Sequence, residues 1–165
     1  MGRTSEKPIS AGQVLRWLAD QEQAGSEFYR TMLEGTKSAW LKQLAGKMVE
    51  AEQRHRERFL EYAQRADNAE SPGEGGLEQP LPDDLLRLLR SHVFPERARY
   101  QVAVKYAGDR ETLMLAIQAE EGLALLLTQL RQYVPAAQKR FIDRVTKEEW
   151  GHKAKLERVM QKHLG

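Results

Sequence analysis

Two four-residue stretches decide how this sequence folds: Glu52-Gln53-Arg54-His55 and Glu149-Trp150-Gly151-His152. Each has a glutamate three residues before a histidine, within a long segment whose apolar residues recur at helical spacing. Residues i and i+3 project from the same side of a helix, so each pair directs a carboxylate and an imidazole towards one point. One such pair is common by chance, and the inference rests on there being two.

Each Glu-x-x-His pair is preceded by another glutamate at a nearly equal distance. Glu22 lies 30 residues before Glu52, and Glu120 lies 29 residues before Glu149. Both fall within the apolar stripe of a predicted helix, where an unpaired carboxylate would cost several kcal/mol. A salt bridge or a boundary position would explain any one of these glutamates alone. The repeated spacing instead favours a binuclear metal site inside a four-helix bundle.

The third-helix position has a close alternative, because a small rotation of that helix would turn Glu121 inward in place of Glu120. Three other acidic residues, Glu27, Glu50 and Glu148, share helix faces with polar neighbours. The sequence predicts that these three side chains are exposed to solvent.

The composition is that of one globular domain. The chain has 165 residues, and its 26 basic and 24 acidic side chains are interspersed, which is not the pattern of a nucleic-acid-binding protein. No apolar run approaches the roughly 20 residues of a membrane span, so we expect a cytoplasmic protein that does not bind membranes. The absence of cysteine excludes disulfides, a thiol nucleophile and cysteine-ligated iron within this sequence.

The predicted architecture is all-α. Residues 1–9 are predicted to be a flexible tail, and residues 10–165 a four-helix bundle whose first helix starts at a capping box of Ser10 and Gln13. Residues 67–107 are predicted to be a linker with short crossover helices. This connection between helices two and three is too long for a tight hairpin and implies a crossover along the bundle. Apolar residues after the linker could cover the bundle's own end or contact a partner chain; they are Leu85, Leu86, Leu88, Leu89, Val93 and Phe94.

At these residues the sequence resembles the rubrerythrin branch of the ferritin-like superfamily, over about residues 14–164. Glu22-x-x-Gly25-x-x-x-Tyr29 is similar to the family's first-helix pattern, and Ala116-Ile117-x-x-Glu120 is similar to its third-helix segment. The two Glu-x-x-His pairs match the family's remaining motifs. The resemblance implies a ferritin-like four-helix bundle that holds two iron ions per chain, with manganese or zinc as possible substitutes.

The resemblance also implies a role for each residue of the site. Glu22 and Glu120 would be terminal ligands, and Glu52 and Glu149 would bridge the two metals. His55 and His152 would each bind one metal, and Tyr29 would donate a hydrogen bond to a ligand. Two features differ from the family: there is no cysteine-rich rubredoxin domain, and Leu123 stands where rubrerythrins carry an additional glutamate. Electrons would therefore come from a separate donor protein.

Three functions are compatible with this site. The leading hypothesis is a di-iron carboxylate oxidoreductase that reduces hydrogen peroxide or dioxygen. The alternative is an iron-binding protein with ferroxidase activity, for iron handling or storage. The third is a helical scaffold whose site is vestigial or filled by zinc.

We predict that the protein is a homodimer. A four-helix bundle with a long crossover leaves one flank free for pairing, and closed two-fold dimers are the commonest oligomers. Light scattering should give a mass of about 38 kDa, twice the chain mass of 18.9 kDa. A particle of several hundred kilodaltons would contradict this prediction and would favour the storage hypothesis.

Overall fold

The structure, a computed structural model, describes residues 8–165, and most of the predicted N-terminal tail lies outside this range. The described residues form helices and no strand beyond one isolated bridge between Ser10 and Gly76. The helices are α1 (Ala11–Gly35), α2 (Ala39–Asp67), α3 (Pro72–Gly75), α4 (Asp83–Arg90), α5 (Arg97–Val102), α6 (Asp109–Leu130) and α7 (Ala136–Leu164).

A short polar side chain caps the start of α1, and two others fix the turn that follows this helix. The Ser10 hydroxyl accepts a hydrogen bond from the Gln13 backbone N–H at 3.1 Å, which confirms the predicted N-cap of α1. In the turn between α1 and α2, the hydroxyls of Thr36 and Ser38 both donate to the carboxylate of Asp109. This links the first turn of the bundle to the start of α6.

The four long helices, α1, α2, α6 and α7, enclose one apolar core. The core contains completely buried side chains from all four helices, including Leu15, Met32, Leu41, Phe59, Leu113, Leu127, Ile142 and Leu156. By length and composition α6 could cross a membrane, but 56% of its most apolar window is buried inside the bundle. That burial is typical of a core helix in a bundle.

The crossover between α2 and α6 packs against the bundle of its own chain. It contains α3, α4 and α5, and a short π-helical segment, Ala103–Ala107, extends α5 to Gly108, whose φ of 93° favours glycine. Leu85, Leu89 and Phe94 are each no more than 3% exposed, whereas Leu88 is 48% exposed. The sequence allowed this apolar cluster either to cover its own bundle or to contact a partner chain. The three buried residues cover their own bundle.

Candidate metal centre

Each of the four long helices carries at least one of the six predicted site residues into the same part of the core. All four glutamates have 0% exposure, His55 has 2% and the His152 side chain has 16%. We call this set the cage: Glu22 on α1, Glu52 and His55 on α2, Glu120 on α6, and Glu149 and His152 on α7.

The two imidazoles face different sets of carboxylates, which have only Glu149 in common. His55 Nδ1 lies 2.5 Å from Glu149 Oε1 and 3.5 Å from Glu22 Oε2. His152 Nδ1 lies 2.9 Å from Glu149 Oε2, 3.4 Å from Glu52 Oε1 and 3.5 Å from Glu120 Oε2. The ring centroids of the two histidines are 5.4 Å apart. Glu149 therefore lies between two positions, each of which has its own histidine.

The cage atoms are close together but mostly unpaired. One ligand atom from each of Glu52, His55, Glu149 and His152 lies within 4.8 Å of the others. Among the described residues, seven buried cage atoms form no hydrogen bond: both oxygens of Glu22, both of Glu52, Glu120 Oε2, and His55 Nδ1 and Glu149 Oε1, which contact only as an ion pair. Buried polar atoms are rarely left without partners, so these atoms fit metal ions, which oxygen and imidazole ligands can bind.

The pKa values show how much negative charge the cage holds without a metal. Burial, and then repulsion by neighbouring carboxylates, raises the pKa of Glu22 well above its ordinary value, and the pKa values of Glu52 and Glu120 are raised for the same reasons. Burial opposes the charged form of Glu149 too, but its contacts with His152 and His55 outweigh this and lower its pKa to about 2. The metal-free cage therefore retains protons to offset its carboxylates.

The pKa values of the two cage histidines are raised by the carboxylates around them. Burial alone would lower the pKa of His55, but the carboxylates of Glu149 and Glu22 outweigh burial and raise the pKa to about 11. The pKa of His152 is also raised, because the contacts with Glu120, Glu149 and Glu52 outweigh burial. Without a metal both imidazoles would carry a positive charge at neutral pH. Two divalent cations could replace those protons and neutralise four carboxylates.

The structure places Glu120, and not Glu121, in the cage. Glu120 is completely buried and faces His152, whereas Glu121 is partly exposed. The Tyr29 hydroxyl donates a hydrogen bond to Glu120 Oε1, which leaves Oε2 facing the cage. Burial and then the charge of Glu120 raise the pKa of Tyr29 well above its ordinary value, so its hydroxyl keeps the proton that this hydrogen bond needs.

Glu148 is partly exposed, and it also makes a contact with a cage histidine that the sequence does not predict. Its Oε2 atom lies 2.6 Å from His55 Nε2 and 3.4 Å from Arg58 Nη1, although its side chain is 38% exposed. Glu148 follows the buried Val145 by three residues and precedes His152 by four, so it lies at the edge of the stripe that faces α2. This spacing is the feature of the sequence that could have indicated a contact between Glu148 and α2.

Comparisons with known proteins show the fold. No protein-family model and no curated protein match the chain. A crystal structure from Thermotoga maritima, of a candidate ferritin-like diiron-carboxylate protein, is similar with a TM-score of 0.70 and 18% sequence identity. The similarity covers 97% of this chain and 99% of that chain. The predicted ferritin-like, all-α bundle is therefore confirmed, and the narrower likeness to rubrerythrin stays a prediction.

The pKa shifts predict that the metal-free protein loses stability as pH rises from 5 to 8. Glu22, Glu52 and Glu120 have folded-state pKa values above the unfolded value of 4.5, so the folded state binds more protons across this range. His55, at about 11 against 6.5 unfolded, acts in the same direction above pH 6.5. Glu149, with its lowered pKa, makes stability rise with pH, but only between about pH 2 and pH 4.5.

Urea denaturation of chelator-treated protein at pH 5, 6.5 and 8 measures this dependence. For each proton that the folded state binds in excess of the unfolded state, the free energy of unfolding falls by about 1.4 kcal/mol as the pH rises by one unit. In protein loaded with Zn²⁺ the slope should reverse, because the ligands must lose protons to bind the metal. A metal-free protein that becomes more stable between pH 5 and 8 would contradict the account of the cage.

We predict that Glu148→Ala weakens one of two metal-binding steps by about 10- to 100-fold, as loss of a carboxylate partner to a ligating histidine typically does. Glu148→Gln should have a smaller effect, because its amide oxygen can still accept from His55 Nε2. Glu50→Ala, which truncates an exposed glutamate, is the matched control. Titration with Co²⁺, followed by absorbance, resolves the two steps. Unchanged affinities in Glu148→Ala would show that Glu148 only stabilises the surface.

Proposed function

We propose that this protein binds two iron ions in the cage and reduces hydrogen peroxide or dioxygen, in the manner of a rubrerythrin peroxidase. The observation that carries the proposal is the set of seven buried ligand atoms that form no hydrogen bond, among four glutamates that are completely buried. A purely structural role does not account for four buried carboxylates, because their desolvation is costly even when two protonated histidines supply part of the opposite charge.

The cage residues divide between two metal positions. Glu22 and His55 would hold one ion, Glu120 and His152 would hold the other, and Glu149, whose two oxygens face different histidines, would bridge them. Glu52, one of whose oxygens lies near His152 on α7, would help to hold the metal beside that histidine, and the resemblance to rubrerythrins gives it a bridging role. Carboxylate and imidazole ligands suit Fe²⁺, Mn²⁺ and Zn²⁺ alike, so the choice of iron rests on the resemblance to rubrerythrins.

A ferrous pair in this cage would supply two electrons, which with two protons convert hydrogen peroxide into two molecules of water as both ions become ferric. The protein's own part is to orient the ligands and exclude bulk water. Glu148 accepts from His55 Nε2–H, which would leave the Nδ1 lone pair for a metal on the side of Glu22 and Glu149 once that nitrogen loses its proton. Tyr29 occupies one oxygen of Glu120 and directs the other towards His152.

The proposed function also requires a source of electrons and implies an oligomeric state and a cellular location. The sequence contains no cysteine and so no cysteine-ligated iron site, and the proposal therefore includes a separate electron-donor protein. It also includes a homodimer in the cytoplasm that binds neither nucleic acid nor membrane. These features rest on composition and on the resemblance.

Anaerobic loading with Fe²⁺, followed by Mössbauer and optical spectroscopy during addition of peroxide, tests the proposal. We expect two irons per chain, rapid oxidation of both, and repeated turnover when a reductase and NADH are added. Glu52→Gln should lose this reaction, whereas Glu50→Gln, an exposed position on the same helix, should retain it.

The same experiment separates the other two functions. A single slow oxidation followed by release or deposition of iron would favour iron handling. A protein that holds no metal, and in which Glu52→Ala leaves stability unchanged or raises it, would instead be a helical scaffold.

A further inference from the structure

One part of the wall around the cage is not helical. Residues 91–96 connect α4 to α5 without regular structure, and in their middle Val93 and Phe94 insert towards the bundle. Phe94 is only 2% exposed, although it lies outside every helix. We call Val93–Phe94 the plug.

Two glycines in the long helices allow the plug to approach. A Cβ atom on Gly25 of α1 would lie 2.8 Å from Phe94 Cε2, and one on Gly122 of α6 would lie 2.5 Å from Val93 Cγ1. Gly25 follows Glu22 by three residues and Gly122 follows Glu120 by two, so both are at the level of the cage. Any larger residue at either position would have to displace the plug.

Phe94 and the cage residue Glu52 approach the same point beside Gly25. The point that a Gly25 Cβ would occupy is 2.7 Å from Glu52 Oε2 and within 3.0 Å of two atoms of the Phe94 ring. The ring also packs against Tyr29, with centroids 6.0 Å apart, and against Phe28 at 5.6 Å. Phe94 therefore covers the side of the cage where a carboxylate oxygen of Glu52 has no hydrogen-bond partner.

A single buried side chain holds the plug in place by polar contacts. Gln21 is completely buried and immediately precedes Glu22. Its Nε2 donates to the carbonyl oxygens of Leu89, at 3.2 Å, and Ser91, and its Oε1 accepts from the Val93 backbone N–H at 2.8 Å. Gln21 thus ties the non-helical segment to the same turn of α1 that carries a cage residue.

We infer that the plug is the specificity-determining element of the site: it admits small oxidants such as hydrogen peroxide to the cage and excludes bulky organic hydroperoxides. Movement of the plug breaks the contacts of Gln21 and the packing of Phe94 on Phe28 and Tyr29, but it breaks no helical hydrogen bond, so this side of the cage can open without unfolding a helix. This inference rests on the proposed function, and Gln21 is a positioning residue that acts through the plug.

The test compares hydrogen peroxide with cumene hydroperoxide as oxidants of the Fe²⁺-loaded protein. Both reactions break the O–O bond and take two electrons from the ferrous ions and two protons from solvent; the products are two waters in one case and an alcohol plus water in the other. We expect Phe94→Ala to raise the rate with cumene hydroperoxide by at least about tenfold and to change the rate with hydrogen peroxide much less.

Phe141→Ala is the matched control, because it also truncates a buried phenylalanine that packs on aromatic rings, but away from the plug. Its ratio of the two rates should equal that of the unsubstituted protein. A ratio that is the same in Phe94→Ala and Phe141→Ala would overturn the inference.

Gln21→Ala gives a second test that does not depend on turnover, because it releases the plug and keeps the Phe94 ring. We expect faster hydrogen exchange of the Val93 amide and faster transfer of Co²⁺ from the loaded protein to EDTA. Unchanged exchange and unchanged transfer would count against the plug. A protein that binds no metal overturns the proposed function and this inference together, whereas normal metal loading with an unchanged ratio of the two rates overturns only the inference.

Discussion

Four carboxylates that share one volume closed to water are the constraint on which the rest of this structure depends. Such a group folds only if positive charge joins it, and the two histidines, with their raised pKa values, can supply part of that charge as protons. Seven buried atoms of the cage form no hydrogen bond in the structure. A pair of divalent metal ions would satisfy both the charge and the geometry, so the metal would belong to the stability of the fold as well as to its chemistry.

The surrounding elements follow from this constraint. Each long helix must present its ligands at the same level, and the hydrogen bonds from Tyr29 to Glu120 and between His55 and Glu148 hold ligands in orientation. The crossover between α2 and α6 covers the remaining side, because Gly25 lets an aromatic ring approach the cage. The connection is thus part of the site, and it also brings the chain back along the bundle.

Much of the fold and of the site could be predicted from the sequence, because both depend on local periodicity. Helical spacing and the Ser10 cap predict the long helices, and the i, i+3 pairs together with two preceding glutamates predict all six cage residues that the structure brings together. Glu148 was missed because its contact depends on how α7 is rotated against α2. Packing of Phe94 against its own bundle is one of the two predicted positions, but its place beside the cage is not predictable, because an irregular segment has no period to read. Helical spacing also left Glu120 and Glu121 unresolved until tertiary packing placed one of them inside.

The most direct test of the central claim is anomalous diffraction from crystals of protein loaded anaerobically with Fe²⁺, measured on both sides of the iron absorption edge. The account predicts two anomalous peaks about 3.5–4 Å apart inside the cage, one beside each histidine, with Glu149 between them. An empty cage in crystals that bind iron elsewhere, or a single peak at the protein surface, would contradict it.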